Sequence, residues 1–140
     1  MLTNTSLADR LRVSVGRLAR RLRQQSLGGL TPSQSSVLAN LDRRGPMTMT
    51  QIADQEGIAK PSATGIVGRL IDKGLVDKAI DPSDRRSSVI AINGAGSRLL
   101  DKRRKERTAF LTRRIESLDP DERDILERAV DILERMAEER

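Results

Sequence analysis

The sequence has no cysteine and no histidine, and its only aromatic residue is Phe110. Without cysteine the chain can form neither a disulfide bond nor a thiolate metal site, and it has no cysteine redox switch. Without histidine it lacks the usual general base near neutral pH and the most common metal ligand. No pair of carboxylates or lysines stands at a mechanistic spacing either. The sequence therefore predicts a protein that is not an enzyme and that needs no cofactor or metal.

Long apolar runs are also missing. No run approaches the roughly 18 residues that a membrane span requires, and the N-terminus lacks the apolar stretch of a signal peptide. We therefore expect a cytoplasmic protein without a membrane partner. The 140 residues fit one domain of ordinary size. Its core must be aliphatic, because aromatic side chains are nearly absent.

Charge is distributed unevenly along the chain. Residues 1–44 and 98–114 each have eight basic and two acidic residues, residues 45–97 have six of each sign, and residues 115–140 have four basic and ten acidic residues. A charged helix face is often simply solvated, but a basic excess on this scale favours a polyanionic partner.

Apolar periodicity and capping residues predict a mainly helical chain. Capping boxes at residues 31–34 and 48–51 begin the second and third helices. Asn93 caps a long helix, and Asp119 caps the last one. The apolar stripe of the first helix consists of Leu7, Leu11, Val15, Leu18 and Leu22, and that of the last helix consists of Ile125, Leu126, Ala129, Val130, Leu133 and Met136.

Residues 48–74 have the pattern of a helix-turn-helix, in which the second helix lies in the major groove of DNA. A short helix is followed by a turn at Gly57, and the next helix begins near Pro61 and is closed by Gly74. With residues placed about 100° apart, its inner stripe is Ala63, Ile66, Val67 and Leu70. The opposite side and its edges supply the candidate DNA-contacting residues, which are Lys60, Pro61, Ser62, Thr64, Gly65, Gly68 and Arg69.

Gly65 and Gly68 are unusual in the interior of a helix, where each costs roughly 1 kcal/mol relative to alanine. Both are predicted to point outward, so core packing does not explain them. Either they are tolerated surface glycines, or they let the backbone of the helix approach a partner closely.

Residues 75–92 predict a β-hairpin in which a turn at 81–87 joins two strands. The turn holds Asp84, Arg85 and Arg86, whose side chains have no core to join at its tip. An arginine there can enter the narrow, electronegative minor groove of DNA, and Asp84 would either fix the turn or pair with Arg86. An isolated Asp-Arg-Arg turn is usually a solvated loop, but its place after a helix-turn-helix favours a DNA-binding wing.

Over nearly its whole length the chain resembles the multiple antibiotic resistance regulators, the MarR family of winged helix-turn-helix repressors. The most specific motif is the Asp-x-Arg of the wing, here Asp84 to Arg86. One departure follows the wing, where the family usually has Leu-Thr and this chain has Ile92-Asn93. Asparagine caps a helix as well as threonine does. The other matching segments are residues 30–34, 50–53, 58–64, 67–70, 73–76 and 81–86.

The resemblance implies a mainly α-helical fold with a small β-hairpin wing. A winged helix-turn-helix lobe would span residues 31–93, and residues 1–30 and 94–140 would form dimerisation helices. It also implies a homodimer that binds a pseudo-palindromic operator in double-stranded DNA, with recognition helices on the order of 34 Å apart.

The resemblance also implies a switch. Family members typically repress transcription and release DNA when a small ligand binds or a cysteine oxidises, and only the ligand route is open to a chain without cysteine. The ligand is often a phenolic or other aromatic anion. Its pocket would lie between the dimerisation helices and the winged lobe, and no residue pattern marks it in the sequence.

Two alternatives stand beside this interpretation. A winged helix can bind a protein instead of DNA, so the chain is also consistent with a protein–protein interaction module. An enzyme acting on a polyanion is a third hypothesis. The missing histidine and cysteine, together with the lack of a phosphate-cradling glycine loop, count against the third.

Overall fold

The computed structural model describes residues 1–26 and 28–138. Within them the chain forms six helices and a three-stranded sheet, which confirms the prediction of a mainly helical fold with a small wing. In chain order the elements are α1 (Asn4–Gln24), α2 (Pro32–Arg44), β1 (Met47–Thr48), α3 (Met49–Glu56), α4 (Lys60–Asp72), β2 (Val76–Asp81), β3 (Asp84–Ile92), α5 (Gly94–Glu116) and α6 (Pro120–Ala137).

Side-chain caps set the predicted helix starts. The hydroxyl of Thr31 accepts a hydrogen bond from the backbone N–H of Gln34 (3.1 Å), and the side chain of Gln34 accepts one from the N–H of Thr31 (3.2 Å). The same reciprocal pattern begins α3 and α6, and Asn93 begins α5 as predicted. These bonds satisfy backbone donors that a helix leaves unpaired in its first turn.

The main core lies where α2, α3 and α4 pack on the sheet. The strands are ordered β1-β3-β2 and are antiparallel, with Met47 of β1 opposite Ile90 of β3. The sequence analysis did not predict β1, because two residues are too few to show apolar alternation. The core side chains are mostly aliphatic, as expected, and the largest apolar ones that are fully buried are Val37, Leu38, Leu41, Ile52, Val67, Leu70 and Ile90.

The outer helices α1 and α6 have amphipathic sequences but contain no buried residue. Their apolar stripes lie largely at the surface of the protomer: Leu7 is 55% exposed, Leu18 48%, Ile125 60% and Met136 65%. An apolar helix stripe normally faces a core. A single chain therefore leaves much of the apolar surface of α1 and of α6 uncovered.

Candidate nucleic-acid interface

One side of α4 is buried and the other is open. Ala63 and Leu70 are 0% exposed and Val67 is 1% exposed, and the helix contacts α2, α3 and β2. The predicted DNA-contacting residues lie on the opposite side, where Lys60, Pro61, Ser62, Thr64, Gly65 and Arg69 are exposed and Gly68 is partly exposed. The structure thus brings all seven residues to one open face of a single helix.

The N-terminus of α4 has backbone donors that no side chain caps. Its N-cap residue is Ala59, which has no side-chain hydrogen bond to offer, and Pro61 lies in the first turn. The unpaired N–H groups at such a helix end carry partial positive charge and suit a phosphate oxygen. The exposed Lys60 adds a full positive charge at the same end of the helix.

The polar side chains of α4 differ in what they can offer to DNA. The hydroxyl of Thr64 donates to the carbonyl oxygen of Lys60 (3.0 Å), so toward DNA it can accept a hydrogen bond rather than donate one as expected. Its methyl group can still contact a thymine methyl. In the described part of the chain, Ser62 makes no side-chain hydrogen bond and Arg69 makes no ion pair, so both keep their donors for a partner.

The two glycines of α4 are not required by packing within the protomer. A Cβ added at Gly65 or at Gly68 would meet no atom within 4 Å. Both positions therefore point outward, as the helical placement predicted. Of the described glycines, the one whose Cβ would collide with backbone is instead Gly96 at the start of α5.

The hairpin is tighter than the sequence predicted. β2 ends at Asp81 and β3 begins at Asp84, so only two residues form the turn that was expected to span 81–87. Arg85 and Arg86 therefore lie in β3 beside the tip instead of in the turn itself. Both remain exposed.

The turn is held by a side chain that the sequence analysis did not single out. The carboxylate of Asp81 accepts hydrogen bonds from the backbone N–H of Ser83 (3.0 Å) and from its hydroxyl (2.8 Å). These bonds hold the pKa of Asp81 below its ordinary value, because they favour the charged carboxylate. Asp81 directly precedes the two turn residues. An aspartate whose side chain can bond to the backbone two residues later is a signal that predicts such a turn.

The two arginines of the wing lie in an irregular stretch of the β-ladder. Ile80 pairs with Ser88, whereas the next residue, Asp81, pairs with Asp84. Residues 85–87 consequently have no directly opposed partner on β2. A bulge of this kind bends the strand and re-aims its side chains, so the arginines project at a place where the ladder is interrupted.

Asp84 acts on the backbone of this bulge. Its carboxylate accepts a hydrogen bond from the backbone N–H of Arg86 (3.0 Å). Among the described residues no ion pair joins Asp84 to the guanidinium of Arg86. Of the two roles expected for Asp84, the structure therefore has the one that fixes the wing and leaves the Arg86 guanidinium free of that carboxylate.

A second site lies away from α4 and the wing, in a cleft of about 510 Å³ between α1, α2 and α5. The sequence analysis did not find it, because its arginines come from the two separate basic segments. The apolar part of its wall includes Leu30, Pro32, Ala39 and Leu100, and its arginines are Arg20, Arg23, Arg103, Arg104 and Arg107.

The five arginines of the cleft are not equivalent. Arg104 is paired with Asp42 (2.8 Å) and with Asp101 (3.1 Å). Arg103 is only 5% exposed, and burial lowers its pKa. Within the described residues the remaining three, Arg20, Arg23 and Arg107, form no ion pair with a carboxylate. The cleft therefore has an excess of positive charge beside an aliphatic wall.

The described residues contain no cluster of acidic side chains able to hold a metal ion. None of the helices formed by residues 1–26 and 28–138 is long and apolar enough to cross a membrane.

A helix-turn-helix with an open second helix, followed by a hairpin that carries exposed arginines, defines the class of winged helix-turn-helix DNA-binding proteins. Comparisons with known proteins agree with this class. The sequence profile of the MarR family matches residues 30–88. An uncharacterised HTH-type transcriptional regulator of Mycobacterium leprae is 33% identical over 138 residues, which are 98% of this chain and 96% of that protein.

Solved structures share the fold. A protein from Pseudomonas aeruginosa is similar with a TM-score of 0.83 at 31% identity, covering 99% of this chain and 100% of that one. A mutant of S. aureus MepR bound to an oligodeoxyribonucleotide has a TM-score of 0.74 at 16% identity, covering 99% of this chain and 100% of that one. The chain belongs to the MarR family of transcriptional regulators. The predictions of the family and of a DNA-binding transcriptional regulator are confirmed.

Proposed function

We propose that the protein is a homodimeric repressor that binds a palindromic operator in double-stranded DNA and leaves it when a small aromatic anion binds. The observation that carries this proposal is the arrangement of one lobe, in which the open face of α4 and the bulged wing with Arg85 and Arg86 are joined through β2. Because the target is chromosomal DNA, we expect the protein to act in the cytoplasm.

The proposal of a homodimer is supported by the surfaces of α1 and α6. Both helices have exposed apolar stripes, and large exposed apolar patches mark interaction sites. Their charges are complementary, since α1 has six arginines and one aspartate whereas α6 has six acidic residues and three arginines. Among the described residues no ion pair joins the two helices within the protomer. A second copy of the chain would supply both the apolar and the charged complement, with 1–30 and 94–140 as the dimerisation segments and 31–93 as the lobe.

The residues of α4 and the wing receive distinct roles in this proposal. Ser62, Thr64 and Arg69 would read base edges in the major groove, and Lys60 with the uncapped helix end at Pro61 would hold a phosphate. Gly65 and Gly68 would let the helix backbone approach the DNA closely. Arg86, with Arg85 beside it, would reach the minor groove while Asp84 fixes the wing.

The proposal of a ligand is supported by the cleft between α1, α2 and α5. Its volume is within the range of small-molecule sites, which is about 300–1,000 Å³. Guanidinium groups such as those of Arg23 and Arg107 bind a carboxylate with two parallel hydrogen bonds, and Leu30 and Leu100 offer an apolar surface to a ring. The cleft also lies at the junction between the proposed dimerisation helices and the lobe. A ligand there would change the separation of the two lobes and thereby their fit to the operator.

Selection of bound fragments from genomic DNA, followed by footprinting, tests the proposal. We expect a palindromic footprint with half-sites about one helical turn apart and an affinity that falls steeply with salt. Sedimentation analysis should show a dimer. A monomer that ignores every duplex at low ionic strength would contradict the proposal and would favour the protein–protein interaction module instead.

The ligand is tested separately on the complex with the selected operator. Salicylate should displace the DNA, and benzyl alcohol, which has no negative charge, should not. Arg23→Gln should weaken the response to salicylate while leaving operator affinity nearly unchanged, because Arg23 lies in α1 and outside α4 and the wing. Equal effects of both compounds would remove the arginine cleft from the mechanism.

A further inference from the structure

The connection between α1 and α2 is attached to two different parts of the protein. Ser26 is 1% exposed and lies against α5, where its carbonyl oxygen accepts from Nε of Arg103 and its hydroxyl accepts from Nε of Arg107 (2.8 Å). Three residues later, the carbonyl oxygen of Gly29 accepts from Nζ of Lys73 (2.6 Å). Lys73 is the C-cap residue of α4. One short connection therefore joins α5 to the end of the recognition helix.

Arg103 is the centre of the attachment to α5. A buried guanidinium is costly unless its donors are used. In addition to its bond to the carbonyl of Ser26, Arg103 donates through Nη1 to the hydroxyl of Ser35 in α2 (2.7 Å). A single side chain of α5 thus holds both the end of α1 and the first turns of α2.

The backbone of the connection has the geometry that these bonds need. Gly28 and Gly29 have φ angles of +46° and +77°, a left-handed conformation that other residues rarely adopt. This bend lets the carbonyl of Gly29 turn toward Lys73 soon after Ser26 has turned toward α5. The next residue, Leu30, is buried and packs in the core.

We propose that Lys73 and Arg103 are positioning residues for operator binding, which together hold α4, the recognition helix of the proposed function, at a fixed angle to α5. This inference rests on the proposed function, because the angle matters only where two recognition helices must fit one operator. Neither residue needs to touch DNA for this role. Leu100 of α5 belongs to the same apolar core as Val67 and Leu70, so loosening these bonds would let the lobe tilt about that contact without disrupting the core.

The test for Lys73 uses operators in which the two half-sites are separated by different spacer lengths. Each added base pair rotates one half-site by about 34° relative to the other, so a rigid dimer should prefer one spacing strongly. Lys73→Met keeps the length of the side chain and removes the donor. We expect it to lower the ratio of affinities for the best and the neighbouring spacings by about fivefold.

The control is Lys102→Met, which removes the same charge from an exposed position of α5 that makes no hydrogen bond in the described residues. This variant should keep the wild-type spacing profile. If Lys73 instead contacts a phosphate, Lys73→Met will lower operator affinity equally at every spacing. The slope of log affinity against log salt concentration will then also fall by about one. That result would overturn the proposal for Lys73.

The test for Arg103 does not depend on DNA. Since the chain has no cysteine, Ala79→Cys in β2 and Lys105→Cys in α5 provide two unique spin-label sites, and an excess of unlabelled chain ensures that distances within one chain are measured. We expect a narrow distance distribution in the parent and a broader one after Arg103→Met or Ser35→Ala.

If Arg103→Met does not fold, the milder Ser35→Ala variant tests the role of Arg103. It removes only the hydroxyl that accepts a hydrogen bond from Nη1 of Arg103. An unchanged width in a folded variant would overturn the proposal for Arg103. Failure of the wild type to bind any operator would contradict the proposed function, and it would leave this distance measurement valid.

Discussion

Gly96 in the first turn of α5 lies so close to the carbonyl oxygen of Leu75 that a side chain at position 96 would overlap it. The same carbonyl accepts a hydrogen bond from the N–H of Asn93 (3.2 Å), and the side chain of Ile92 closes the other side. α5 leaves the winged lobe at this point. The close contact between the start of the long helix and the lobe at this point therefore depends on the absence of a side chain at position 96.

Gly96→Ala should lower the free energy of unfolding by about 1–3 kcal/mol, because the backbone must shift to admit the methyl group. Urea denaturation measures this change. Gly94→Ala is the matched control two residues earlier, where the nearest atom is the end of the flexible Arg98 side chain at 3.1 Å. We expect the control to change stability by less than about 1 kcal/mol. Equal midpoints for both variants would show that the junction adapts freely.

Arg86→Ala should weaken operator binding by about 10- to 100-fold and leave the fold intact, because the exposed side chain is proposed to enter a DNA groove and is not part of the core. Fluorescence anisotropy at several salt concentrations measures the affinity, and circular dichroism checks the fold. Arg85→Ala is the matched control, since it removes the same charge one residue away in the same bulge. Its effect should be smaller. Unchanged affinity for Arg86→Ala would exclude the wing from DNA recognition.

Substitutions at Gly65 should change stability and DNA affinity in opposite directions. A Cβ there meets no neighbour within 4 Å, so Gly65→Ala should stabilise the helix by up to about 1 kcal/mol. Operator affinity should fall with Gly65→Ala and fall further with Gly65→Leu, because the added atoms separate the helix backbone from the DNA. Thermal unfolding and binding assays on the same samples measure both quantities. A Gly65→Leu variant with full affinity would mean that the glycine is a tolerated surface residue.

Leu133→Asp should convert the proposed dimer into monomers, because Leu133 belongs to the exposed apolar stripe of α6 and is 37% exposed in the single chain. Burying an unpaired carboxylate in an apolar interface is strongly unfavourable. Analytical ultracentrifugation measures the dissociation. Asp131→Ala, on the opposite side of the same helix, should remain dimeric. If Leu133→Asp sediments like the wild type, the dimer must use a different surface.

Much of the fold could be predicted because its signals are local. The capping boxes that begin at Thr31, Thr48 and Asp119 join residues three positions apart, so the chain needs no distant partner to form them. The buried stripe of α4 follows from helical periodicity in the same way. The open face of α4 is the complement of that stripe, which is why its candidate residues were identified from the sequence.

Other features could not be predicted because they depend on how the β-strands pair with one another. β1 is a strand only through its pairing with Val89 and Ile90 of β3. The bulge at residues 85–87 likewise exists only relative to the register of β2. The wing turn was placed too broadly for the same reason. The roles of Asp81 and Asp84 depended on which residues form the last pair of the hairpin.

The sequence by itself determined the class of fold, the starts of the helices and the face of the recognition helix, since interactions within about four residues are sufficient for these. Only the tertiary structure decided which arginines share a cleft and which groups of α4 and α5 bond to the connection between α1 and α2. Arg23 and Arg107 are far apart in the chain, and Lys73 meets Gly29 across 44 positions. Such contacts arise from packing between helices, for which no short-range pattern in the sequence exists.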